Sequence, residues 1–250
     1  MSEPVSFDRI ADRYDETRGG LERGREVADV FHGVLPRTGT LLEVGIGTGL
    51  VAAGLAERGR TVVGVDLSPR MLSHAAARLP GRLAVADARR LPLATASVAG
   101  VYLVHVLHLT GDLDATLAEA VRVVQPGGVV AATAQSRQEP QSDLHEILHD
   151  LQRGLPPRPD REDAVVDAAA RQGLRLLDRR VASRGYLHLS PATVAQRLAE
   201  RSWSWMWSVA DAETWRSMAE PALARIRALP DQDRPRPDAT SAPVLVFAPV

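Results

Sequence analysis

Glu43, Gly45, Gly47, Gly49 and Asp66 are the residues whose types and spacing could do chemistry. An apolar run, Leu41-Leu42, delivers Glu43 and then a glycine at every second position, and a second apolar run ends in Gly64-Val65-Asp66. Glycine lets the turn after a buried strand stay tight and lets a ligand approach the backbone closely. A carboxylate at the tip of the following strand can accept hydrogen bonds from two ribose hydroxyls. The pattern therefore implies a nucleoside-containing cofactor lying across the carboxyl ends of parallel strands.

The spacing discriminates among such cofactors. A dinucleotide fingerprint needs a third glycine where this chain has Leu50, and Gly49 comes one residue too early. A phosphate-binding P-loop needs a lysine, and all 30 basic residues here are arginine. The missing lysine also excludes Schiff-base chemistry.

These residues need strands and helices in alternation. Strands are expected at 40–44, 61–65, 83–86, 98–104 and 129–133, with helices at 50–58, 69–79 and 114–123 between them. That rhythm predicts right-handed βαβ units and a mostly parallel sheet. Apolar residues at 7, 10, 11 and 14 have the spacing of a helix over 7–15, and 21–35 forms a second amphipathic candidate stopped by Pro36. Gln125-Pro126-Gly127-Gly128 turns the chain into the fifth strand. Beyond it the expected elements are helices at 143–151, 163–172, 191–201 and 212–229, a charge-rich edge strand at 174–183, a loop at 230–241 and a last strand at 243–250.

The 250 residues carry a net charge of −1 and are 45% hydrophobic, which suits one α/β domain. Basic and acidic residues are interspersed, so no nucleic-acid surface is expected. No cysteine is present, which removes disulfides and thiolate chemistry. No signal peptide is expected at the amino terminus and no run approaches the roughly 18 apolar residues of a membrane span, so a cytoplasmic location is expected. Absent lysine and asparagine, beside abundant Ala, Arg, Gly and Pro, indicate a high-GC bacterial genome.

The Glu43-x-Gly45-x-Gly47-x-Gly49 segment resembles motif I of the class I S-adenosylmethionine-dependent methyltransferases, small-molecule type. That cofactor has an ammonium and a sulfonium but no pyrophosphate for the acid to repel. Further matches are Leu67-Ser68-Pro69-Arg70-Met71-Leu72, Ala86-Asp87-Ala88, Leu91-Pro92-Leu93, Val104 to Leu109, and Glu119 to Gly128. Their order and spacing agree over 40–133; Tyr14-Asp15 resembles the family's lid. One departure is Val98-Ala99, where family members commonly carry Phe-Asp.

The resemblance implies a Rossmann-like, doubly wound α/β fold: a seven-stranded sheet, mostly parallel with an antiparallel last strand, plus helical cap insertions. It implies a single domain over 1–250, with lid helices at 1–39, a cofactor core at 40–134, and insertions at about 135–160 and 185–242. It implies S-adenosylmethionine as cofactor, with S-adenosylhomocysteine as product. Gly45, Gly47 and Gly49 would pass beneath it, with Glu43 near its amino acid end and Tyr14 in the lid. Asp66 would hold the ribose, Leu67 and Met71 would flank adenine, and Asp87 and Ala88 would meet its edge. The backbone at Val104 and His105 would accept from the ammonium.

Methyl transfer from a sulfonium is an in-line displacement with a good leaving group, so alignment and water exclusion dominate. A general base is needed only for some acceptors, and His108 and His105 are the candidates, since the loop after the fourth strand faces the methyl group in this fold. Trp203, Trp205 and Trp207 are either packing of a helical insertion or an aromatic wall for the acceptor. The expected acceptor is a small, partly apolar metabolite, in bacterial secondary metabolism, methylated on O, N or C by a monomer or homodimer. One alternative is an S-adenosylmethionine-binding protein without transferase activity. Another is a zinc hydrolase through His145-Glu146-Ile147-Leu148-His149, whose histidines would share one helix face.

Overall fold

The computed structural model describes residues 7–135, 140–182, 189–209, 211–237 and 242–250. The amino-terminal residues 1–6, part of the polar stretch at 136–139, Ser183 and the loop end at 238–241 lie outside the described residues. Contacts divide the chain into two compact units. The first comprises 1–136, 159–183 and 242–250, and the second 137–158 with 184–241.

The first unit is built on seven strands: β1 (Thr40–Val44), β2 (Thr61–Asp66), β3 (Leu83–Val85), β4 (Val98–Leu103), β5 (Val124–Thr133), β6 (Leu174–Ala182) and β7 (Ala242–Pro249). Their spatial order is β3-β2-β1-β4-β5-β7-β6. Pairings from β3 to β5 are parallel, and β7 runs antiparallel to both β5 and β6. The charged strand expected at an edge does lie at one, as β6. Order reverses between β1 and β4, and in doubly wound sheets ligands bind outside the carboxyl ends of strands at such a switch point.

Flanking helices are α1 (Tyr14–Thr17), α2 (Gly20–Val34), α3 (Leu50–Glu57), α4 (Pro69–Ala76), α5 (Leu113–Val123) and, after a gap in sequence, α7 (Glu162–Arg171). Side chains such as Leu42, Val44, Val101, Leu103 and Phe247 fill one core cluster of this unit. Phe31, Leu41, Leu55, Val62 and Tyr102 fill the other. Strand alternation sends neighbours in sequence to opposite faces, which is why Leu41 and Leu42 belong to different clusters.

Two local expectations change. Residues 7–15 do not form one helix: 3₁₀ turns at Phe7–Arg9 and Ala11–Arg13 lead into the short α1. The reason lies in tertiary contacts, because Asp8 and Asp12 bind residues at the start of and within α4, while Asp15 binds Thr48 in the β1–α3 loop and Arg78. The Pro126-Gly127-Gly128 turn lies inside β5, not before it. Val98 pairs with Val124 and Gly100 with Val129, so the extra residues arch out as a bulge.

The second unit holds α6 (Asp143–Arg153), α8 (Pro191–Ala199) and α9 (Ala212–Arg227), with a 3₁₀ turn at Ser204–Ser208. Its own core contains Leu144, Ile147, Leu198, Met206, Trp215 and Ile226. Ser142, Ser190 and Asp211 cap these three helices by accepting from backbone N–H groups, each cap worth about 1 kcal/mol.

Candidate functional site

The loop after β1 is shaped by its glycines. Gly45, Gly47 and Gly49 all have positive φ, at 72°, 57° and 79°. A Cβ on Gly45 would fall 2.3 Å from Val106 Cγ2, so the side chain from the loop after β4 packs directly on the β1 loop. A Cβ on Gly47 would meet nothing within 4 Å, which leaves open space above the loop. Gly49 is the N-cap of α3.

Asp66 at the end of β2 accepts from Gly47 N (2.8 Å) and Ser68 N (2.9 Å). Burial pushes its pKa up, and the backbone N–H bonds oppose that shift. An ionised carboxylate offers about four lone-pair sites. The backbone N–H groups of Gly47, Ser68 and Leu67 bear on this carboxylate, and its remaining lone pair can accept from a ligand hydroxyl. Ser68 caps α4, its side chain accepting from Met71 N at 3.0 Å.

Glu43 is 2% exposed and lies beneath the loop, where Tyr102 Oη donates to its Oε2 at 2.9 Å. Desolvation raises its pKa to about 8, so it is largely protonated at pH 7. Asp87 is held by Arg89, whose Nη2 lies 2.6 Å from Oδ2 and whose backbone N–H donates to Oδ1. Those Arg89 hydrogen bonds lower the pKa of Asp87.

After β4, His105 takes the left-handed conformation at φ 52°, unusual for a residue with a Cβ. Its backbone N–H donates to Thr133 Oγ1 at 2.6 Å, which anchors the turn to β5. The residue is exposed on the cleft, and desolvation pushes its pKa down to about 4. Arg23, His108 and Arg18 add to that shift, leaving a neutral imidazole at pH 7. His108 is buried three residues on, with Nδ1 3.3 Å from Asp160 Oδ2.

The amino-terminal segment is tied down along one side. Ser68 Oγ donates to Asp8 at 2.5 Å, Arg70 and His74 bind Asp12, and Thr48 Oγ1 and Arg78 Nη2 each lie 2.6 Å from Asp15. The Phe7 and Tyr14 rings meet edge to face, 6.1 Å between centroids. Burial raises the Tyr14 phenol above its ordinary pKa.

These elements enclose a cleft of about 910 Å³, counting its open mouth. Of the residues expected to hold a cofactor, Tyr14, Gly45, Gly47, Asp66, Leu67 and Met71 line it, as do Asp87, Ala88, Val104 and His105. Glu43 and Gly49 do not line it; one lies below the loop and the other starts a helix. Neither does His108. Phe7, Arg89 and Thr110 on the cleft wall, and Asp160 behind it, were not singled out from the sequence. Only the Arg89–Asp87 spacing could have been suspected, since the other partners are distant in sequence.

Trp203, Trp205 and Trp207 belong to the second unit. Trp203 and Trp205 stack at 5.9 Å, Trp205 meets Trp215 edge-on at 6.0 Å, and Trp207 Nε1 donates to Arg201 O at 2.8 Å. His145 and His149 lie on α6 of that unit. Among the described residues, no group of three or more His, Cys, Asp or Glu is placed to hold a metal ion. No helix there is long and apolar enough to cross a membrane.

The family model described as "Methyltransferase domain" matches residues 42–132. An uncharacterized methyltransferase of Geobacillus kaustophilus is 32% identical over 59% of this chain and 78% of its own length. A demethylmenaquinone methyltransferase of a Parafrankia species is 33% identical over 52% of this chain and 61% of its own. The biotin biosynthesis bifunctional protein BioHC of Cellvibrio japonicus is 35% identical over 49% of this chain, which spans only 25% of that longer protein. Among solved structures, an S-adenosylmethionine-dependent methyltransferase from Thermotoga maritima superposes with a TM-score of 0.59 at 17% identity, over 98% of both chains. The [4+2]-cyclase SpnF does so at 0.63 and 18%, over 98% of this chain and 94% of its own. At those identities the structures share the fold, and a fold by itself does not assign a reaction.

Proposed function

The chain belongs to the class I S-adenosylmethionine-dependent methyltransferases, and on that premise we propose that its cleft binds S-adenosylmethionine and directs its methyl group to a small, partly apolar acceptor. The observation that carries this reading is the convergence of the glycine loop and Asp66 at the β1/β4 switch point. The residues present fit the cofactor: open space lies over Gly47, and Asp66 retains acceptor capacity. When bound, the cofactor supplies an electrophilic methyl on a sulfonium.

The chain's own residues do the rest. Asp66 accepts the ribose hydroxyls, and Leu67 and Met71 form the apolar walls for adenine. Asp87, already satisfied by Arg89, meets the adenine edge together with the Ala88 backbone. Tyr14 and Phe7 close over the cleft and exclude water, which strengthens every polar interaction beneath them. The His105 turn presents backbone carbonyls, including that of Val104, to an ammonium.

For an acceptor that must lose a proton, the two histidines are unequal. His105 lines the cleft, yet an imidazole held near pKa 4 is a weak base. His108 has the Asp160 carboxylate 3.3 Å from Nδ1, an ion-pair contact without hydrogen-bond geometry. We assign His105 to the wall that contacts the acceptor; His108 lies off that wall, and its role as base is the proposal that the His108→Ala variant tests. The demethylmenaquinone methyltransferases among the relatives, and the apolar residues Val44, Leu109 and Ala86 on the cleft wall, support a partly apolar acceptor.

Titration calorimetry of S-adenosylmethionine and S-adenosylhomocysteine tests the reading, with wild type and Asp66→Asn compared. Micromolar binding weakened about tenfold or more in a folded variant is expected. No binding to folded wild type would overturn it. Because a cyclase shares this fold, methyl donor consumption with candidate acceptors is the second, decisive readout.

A further inference from the structure

The carboxyl ends of the strands hold the cleft; the amino ends hold a different cluster. Arg37 precedes β1 and Arg60 precedes β2, so both lie at the opposite edge of the parallel sheet. That edge is about one five-residue strand, or roughly 17 Å, from the glycine loop. His32, in the last turn of α2, stands between them.

Arg60 is 6% exposed, and its Nη2 is buried with no hydrogen-bond partner. Its Nη1 lies 3.3 Å from His32 Nδ1, while Arg37 Nη1 lies 2.6 Å from His32 Nε2. Desolvation and the guanidiniums of Arg37, Arg60 and Arg58 push the His32 pKa down, opposed by Asp29. A neutral imidazole has one N–H and one lone pair. It can accept from one of the two guanidiniums, and its contact with the other sets N–H against N–H. Asp29, the acid that acts on His32, is already engaged by Arg58 Nε at 2.7 Å. Burial and the Arg37 charge also push Arg60 below its ordinary pKa.

The cluster therefore has a surplus of donors and positive charge around one lone pair. Arg37 is exposed and His32 partly so, which opens the cluster to solutes. What it lacks is a small group with several acceptor oxygens and negative charge, and guanidinium forks match the oxygens of phosphate.

We propose that His32, Arg37 and Arg60 form a binding site for a phosphate-type oxyanion at the amino-terminal edge of the sheet, separate from the cleft. Binding joins the end of α2 to the starts of β1 and β2 and stabilises the folded chain.

Thermal unfolding of the full chain in inorganic phosphate, against chloride and acetate at matched ionic strength, is the test. With a Kd of about 1 mM, about 10 mM phosphate raises Tm by roughly 4 °C. Arg60 is buried and its replacement risks the fold, so the variant of choice is the exposed Arg37→Gln, which should lose most of the rise. An equal rise in chloride or acetate would overturn the site as a phosphate-type one. So would an equal rise in Arg37→Gln, since phosphate bound at the glycine loop would survive that substitution.

Discussion

His108 Nδ1 lies 3.3 Å from Asp160 Oδ2, with the two side chains only 8% and 7% exposed. Asp160 is fixed in turn by its backbone, since its carbonyl accepts from Gln135 N at 2.7 Å. The carboxylate comes from the segment that returns to the first unit after the polar stretch, and it lies beside a histidine placed by the loop after β4. General-base assistance is worth about 10²–10⁴ in rate. With an acceptor identified, His108→Ala is expected to lower kcat by about that factor and leave S-adenosylhomocysteine affinity nearly unchanged. Asp160→Asn should lower kcat less. Unchanged turnover in both His108→Ala and His105→Ala would remove these residues as bases.

The contacts of the amino-terminal segment predict a salt-dependent affinity. Asp15 binds Thr48 and Arg78, and its side chain is about one-third exposed at 31%. Exposed pairs contribute about 0.2–1 kcal/mol and weaken with salt. Asp15→Asn is expected to weaken cofactor binding about threefold at low salt and less at high salt. Calorimetry at two ionic strengths reads this directly. Equal affinities at both would show that this ion pair does not act on cofactor binding.

Glu43 predicts a pH dependence of stability. Its pKa rises from 4.5 in the reference state to about 8 when folded, so between those values the native state binds the extra proton. Stability carried by that proton is present at low pH and lost as pH rises through the window, with a slope of up to about 1.4 kcal/mol per pH unit. Glu43→Gln keeps an acceptor for Tyr102 and removes the titration. Denaturant unfolding from pH 5 to 8.5 should show a flatter profile for the variant; identical slopes would contradict the assignment.

The tryptophans separate two roles. As acceptor contacts, Trp205→Ala or Trp207→Ala raises the acceptor KM and spares cofactor binding. As packing, each change instead lowers Tm, because truncating a well-packed tryptophan costs about 3–5 kcal/mol when it is fully buried. The stacking of Trp205 between Trp203 and Trp215 makes Trp207 the cleaner probe. Global destabilisation in both variants, with KM unchanged, would sink the acceptor role.

The alternation of apolar runs with amphipathic stretches is enough to specify most of the sheet. β1, β2 and β4 fall within a residue of their expected ends because buried strands read as continuous apolar runs. Glycines at 45, 47 and 49 and the acid at 66 were equally legible, since a tight turn demands glycine and a strand end announces itself. Residues 7–15 carry helical periodicity but form 3₁₀ turns and a short helix, because periodicity reports only which face is apolar and three aspartates there bind distant partners.

What the sequence by itself determined is therefore local: strand order along the chain, the glycine turn, the carboxylate at the next strand's tip, and the family these match. Only the tertiary structure decided which distant residues meet. It set His108 against Asp160, placed Glu43 under the loop against Tyr102, and gathered His32, Arg37 and Arg60 at one sheet edge. Local pattern follows from backbone sterics and burial of neighbours in sequence. A pairing between remote side chains leaves no periodic trace, because it depends on how the strands are ordered in space.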